Sequence, residues 1–79
     1  MEKNQIKEYG DRIVSDQAIM HGTPVVKGTR VPVAAVLGYL AGGETVDDVL
    51  RHHPHLAAED VLACLAFAAA LADYEVYAL

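Results

Sequence analysis

The periodicity of apolar positions changes as the 79-residue chain is read from its start. Residues 1–11 show no sustained alternation, and Gly10 interrupts them, so they read as a loose or briefly helical lead-in. Arg12-Ile13-Val14 predicts a short strand. Ser15 to Gly22 reads as a connection. Pro24 to Val33 then gives two β-branched runs around Lys27-Gly28, where a glycine in the second loop position predicts a hairpin. Pro24 and Pro32 lack a backbone N–H, which places them at strand ends or on an edge. Residues 12–33 are therefore expected to form short strands and a hairpin.

From Pro32 onward the period becomes helical. Val33, Val36, Leu37 and Leu40 share one face of a helix expected over 33–42, which Gly42-Gly43 ends. Thr45 is an N-cap for a second helix over 45–53, with Asp48 in the position of a capping-box acid. Pro54 ends that helix, and Arg51, His52 and His53 in its last turn offset the helix dipole. A third helix is expected over 57–77, with Glu59 and Asp60 in its first turn.

The third helix carries large side chains on two arcs. Val61, Leu62, Leu65 and Val76 form one arc; Cys64, Phe67, Leu71 and Tyr74 form the other, with Ala63, Ala66 and Ala70 between. A helix apolar on two sides is covered on two sides. The domain is expected to supply one cover and another chain the second. Phe67, Leu71, Tyr74 and Tyr77 are thus the partner-binding candidates, set against the plainer reading that they are core. The resulting fold expectation is mainly α: a small strand and hairpin, followed by three helices ending in a long one.

Composition sharpens this picture. So short a chain forms one domain, residues 1–79, with a marginal core. Its composition is 53% apolar, so self-association or a partner is expected to cover surplus surface. Cys64 is the single cysteine, so no disulfide can form within the chain. The polar start is unlike a signal peptide, and the charge-free run 61–72 is too short to span a membrane, which needs about 20 apolar residues. A cytoplasmic protein is the expectation.

Charge is divided unevenly. Residues 1–43 hold five bases and four acids, whereas residues 44–79 hold one base and seven acids. Any nucleic acid would have to meet the first half. The second and third helices have helix-turn-helix spacing, but Ala57, Ala58, Glu59 and Asp60 open the third and oppose insertion beside phosphates. Lys27 and Arg30 on the hairpin, with Arg51, remain the candidate contacts to nucleic acid or to a partner's carboxylates; as charges on a hairpin tip they can equally be solvated.

Catalytic chemistry finds little support. His52, His53, His55 and distant His21 lack the spacing of a metal site. Cys64 lies in an apolar helix and reads as a small core residue. Asp47-Asp48 and Glu59-Asp60 are sequence neighbours and point to different helix faces. Gly42-Gly43 is not followed by a phosphate-binding pattern. No enzyme, cofactor, metal or small-molecule substrate is expected.

Gly22, Pro24, the run Gly28-Thr29-Arg30, Val33, Gly43, Pro54, Leu56 and Glu59-Asp60 before an alanine-rich helix together resemble the bacterial and archaeal family called domain of unknown function 433. The resemblance runs from residue 12 to about residue 70. It implies a homeodomain-like or winged-helix tri-helical fold. It also implies a VapB-like antitoxin that binds and silences a PIN-like nuclease toxin, with a homodimeric DNA-binding autorepressor as the alternative. Two positions depart from the family pattern: Ala57 stands where Ser or Thr would cap the helix, and Thr23 where Lys is common. Arg30 is intact and suited to a bidentate carboxylate contact.

Overall fold

The computed structural model describes the backbone of residues 6–78 and the side chains of residues 6–73. Its order is β1 (Ile6–Tyr9), β2 (Ile13–Asp16), β3 (Val25–Val26), α1 (Val33–Ala41), α2 (Val46–His52) and α3 (Ala58–Ala78). The strands form one antiparallel sheet in the order β1-β2-β3. The fold is therefore mixed α/β, which corrects the mainly α, homeodomain-like expectation: the helices pack on a three-stranded sheet.

The strand that overturns the expectation is β1, in the stretch read as a lead-in. Ile6, Lys7, Glu8 and Tyr9 are all exposed, so neither strand face carries the alternation that burial imposes. Pairing with β2 makes the strand: Ile6 faces Asp16 and Tyr9 faces Ile13. β2 in turn places Ile13 opposite Val26 and Val14 opposite Val25. All four are buried, and since neighbours along a strand point to opposite faces, this part of the sheet is covered on both sides.

The Pro24–Val33 hairpin exists in reduced form, as Val25–Val26 and one bridge from Val25 to Pro32. Its turn is closed by Thr29 N–H donating to the Val26 carbonyl at 3.0 Å, with Gly28 at φ +82°. That arrangement is a type II turn, whose third position requires a left-handed residue. The Thr29 hydroxyl donates to the Val26 carbonyl at 2.7 Å and accepts from Val31 N–H at 2.9 Å. Gly28 and Thr29 thus account for their places in the sequence by backbone geometry and hydrogen bonding.

Between β2 and β3 the chain makes a tight left-handed turn, with positive φ at Met20, His21 and Gly22. The Ser15 hydroxyl donates to the Gly22 carbonyl, and the Thr23 hydroxyl to that of Met20. A Cβ on Gly22 would lie 2.8 Å from Gln17 Nε2, the end of an exposed, flexible side chain that can move aside, so the demand for glycine here comes from φ +88°.

α1 begins after Pro32 and ends in a Schellman motif: Glu44 N–H donates to the Tyr39 carbonyl and Gly43 N–H to that of Leu40, both at 3.0 Å. Gly43 supplies the left-handed residue at φ +97°. α2 starts with a complete capping box, Thr45 Oγ1 accepting from Asp48 N–H and Asp48 Oδ2 accepting from Thr45 N–H. The Thr45 hydrogen bonds, with the Arg51 guanidinium beside it, hold the Asp48 carboxyl below its ordinary range. The core gathers Ile13, Val26, Val31, Val33, Val36, Val49, Leu56, Val61 and Cys64 from every layer. Burying each of the larger aliphatic side chains contributes roughly 1.5–3 kcal/mol.

Candidate functional site: an apolar groove beside the long helix

α3 buries Val61 and Cys64, one residue from each predicted arc, so the boundary between its inner and outer faces cuts across both. Leu62 and Leu65 are exposed, as is Leu71 at 51%. Phe67 is half-buried at the edge of the core.

The tip of the β1–β2 hairpin stands beside this helix. Tyr9 meets Phe67 edge to face, with ring centroids 5.1 Å apart and planes at 78°. Arg12 Nη1 donates to Asp60 Oδ1 at 2.9 Å, while Asp60 Oδ2 accepts from Ala57 N–H at 2.8 Å. Asp60 therefore caps the helix and anchors the hairpin at once. Between the tip (Tyr9 to Arg12) and Ala63, Ala66, Phe67, Ala70 and Leu71 lies an apolar groove of about 600 Å³. A smaller groove of about 260 Å³ runs on the other side of Phe67 and Leu71, against Thr23, Pro24, Val33, Ala34 and Leu37. Phe67 and Leu71 line both grooves and form a ridge between them.

Two of the four sequence-predicted docking residues, Phe67 and Leu71, thus come together; the side chains of Tyr74 and Tyr77 lie outside the described residues. Tyr9, Asp11, Arg12 and Asp60 complete the site and were not singled out for it. No spacing rule joins them to α3, since Arg12 and Asp60 are 48 residues apart.

The predicted cations are not gathered into one patch of free charge. Lys27 pairs with Glu8 across the sheet at 3.2 Å, and Arg51 pairs with Asp48 within α2. Arg30 is exposed and has neither ion pair nor side-chain hydrogen bond among the described residues. Gly22, Gly28 and Thr29 shape turns, Pro24 accepts from Val33 N–H at 3.0 Å, and Pro54 lies in the turn closed by Leu56 N–H on the His53 carbonyl.

The histidines sit apart from the groove's lining. His52 stacks on Tyr39, with centroids 4.5 Å apart, and its Nε2 lies 2.7 Å from Glu44 Oε1. Among the described residues no three side chains are placed to share a metal ion. Burial, with a smaller push from the Asp60 charge, raises the Cys64 thiol to about 11. At that value it is a poor nucleophile at neutral pH.

The family model described as "Protein of unknown function (DUF433)" matches residues 13–68. The chain belongs to that family. The matched span takes in β2, β3, α1, α2 and the first half of α3; β1 and Leu71 lie outside it. Uncharacterized protein y4eO of Sinorhizobium fredii is 45% identical over 49 residues, covering 62% of this chain. The match occupies only 22% of that relative's length. No solved structure matches the chain. No helix among the described residues is long and apolar enough to cross a membrane.

Proposed function

We propose that this DUF433 protein is a protein-binding antitoxin that docks on and silences a PIN-like nuclease toxin through α3. The observation that carries this reading is the ridge of Phe67 and Leu71, with Leu71 51% exposed between two apolar grooves. Exposed apolar residues beside concave surface are the usual material of a protein interface. The decisive experiment combines co-purification from the native cell with a growth-rescue assay against the recovered nuclease. A stoichiometric nuclease whose capture and silencing are lost in Leu71→Asp is the expected result. Unchanged capture by Leu71→Asp would remove this face from the proposal.

The second reading is a homodimeric DNA-binding autorepressor. It draws on Lys7 and Arg30, exposed cations without an ion pair among the described residues. Two such charges per chain give weak binding that falls steeply with salt. A mobility shift on the protein's own upstream DNA that persists at physiological salt would establish it.

A further inference from the structure

The larger groove has a charged frame. Along α3, Glu59, Ala63, Ala66, Ala70 and Asp73 follow one another at steps of four, three, four and three, so they lie in one row. The alanines line the groove, and an exposed acid stands beyond each end of the alanine row. The hairpin wall adds Asp11, also exposed. None of these three carboxylates has an ion pair among the described residues. Arg12, the one cation lining the groove among the described residues, is held by Asp60.

Resting on the protein-binding reading above, we infer that this groove takes a cationic amphipathic helix from a partner protein. The apolar lining selects the helix's apolar stripe, and small alanines let a backbone approach closely. The carboxylates that frame the groove select lysine or arginine beside that stripe. A second copy of α3 is disfavoured by the same charges: the chain holds no Lys or Arg after Arg51, so two such helices face acid with acid. Nucleic acid and anionic lipid are repelled for the same reason. The occupant is thereby defined by chemistry: an apolar stripe about two turns long, flanked by cations.

The test is a selection. A displayed library of helices about 18 residues long, which is some five turns, keeps leucines along one face and randomises the flanking positions. The full chain serves as bait. Enriched helices are expected to carry Lys or Arg beside the leucines and to bind about tenfold more tightly than their Lys→Glu counterparts at low ionic strength. This advantage shrinks with added salt and is lost in the Asp11→Asn, Glu59→Gln, Asp73→Asn bait. Acidic or neutral flanks in the enriched helices, or no enriched helix at all, would overturn the inference. So would a dimer in sedimentation that Leu71→Asp dissociates, since a second copy would then fill the groove. Helices that are lost with Leu71→Asp but show no charge preference would leave the docking face standing and remove only the cationic partner.

Discussion

Arg12 and Asp60 join the two ends of the fold: a guanidinium at the tip of the β1–β2 hairpin donates at 2.9 Å to a carboxylate in the first turn of α3. Asp60 is the more critical member, because its second oxygen also receives Ala57 N–H. Asp60→Ala is expected to cost about 1–2 kcal/mol, combining a lost cap with a lost ion pair. Arg12→Ala should cost less, since Arg12 is 45% exposed and its pairing is screened by water. Chemical denaturation of the two single variants and the double variant measures the coupling, expected below about 1 kcal/mol.

Ala57 leaves the capping arrangement of α3 half-built. Asp60 reaches back to the Ala57 N–H, but Ala57 has no side-chain oxygen to offer in return, and the Asp60 N–H donates to the Ala57 carbonyl at 2.9 Å. Ala57→Ser completes the reciprocal pair and should stabilise the protein by about 1 kcal/mol. Thermal unfolding shows this as a higher midpoint; no change would mean that the Asp60 half already satisfies the helix end.

The hairpin turn separates two effects that a sequence motif merges. A Cβ on Gly28 meets nothing within 4 Å, so Gly28→Ala tests backbone conformation alone at φ +82°. The expected loss is about 1–2 kcal/mol. Thr29→Val keeps the shape and removes both hydroxyl contacts, on Val26 and Val31, at a cost of about 1–2 kcal/mol. Arg30→Ala should leave stability within about 0.5 kcal/mol of the parent, because its side chain is exposed and has no polar partner among the described residues.

Cys64 should make the folded state sensitive to alkali. Its thiol is raised from an ordinary 9.0 to about 11. The folded form therefore keeps a proton that the unfolded chain gives up first. This contribution to stability is complete below about pH 9 and is lost as pH rises through about 11, amounting to on the order of 2 kcal/mol. Denaturation midpoints of the parent and Cys64→Ala across this window isolate the effect from lysine and tyrosine titration. The parent should show the steeper fall. Below pH 9 its thiol should resist alkylating reagents until the protein unfolds.

How much of this could be read from the sequence varies with the range of the interaction. The helix starts at Pro32 and Thr45 are local events, determined by residues within one turn, and the sequence expectations place them within a residue of the structure. Phe67 and Leu71 share a helix face by spacing alone, so their adjacency was legible. β1 was not, because an edge strand exposed on both faces leaves no hydropathic trace and exists only through pairing with β2. The groove was not legible either. Tyr9 reaches Phe67 and Arg12 reaches Asp60 only after the hairpin folds across α3, and helical spacing carries no information about that closure.

The turn at Met20-His21-Gly22 has a meaning for how this sequence would change under selection. Met20 and His21 occupy the left-handed region at φ 51° and 58°, where a side chain other than glycine's costs about 1–2 kcal/mol per residue. A lineage selected for heat resistance alone would drift toward glycine or asparagine at both positions. Homologues that resist that drift under such selection would be preserving the side chains themselves, and the turn would then belong to the protein's working surface as well as to its scaffold.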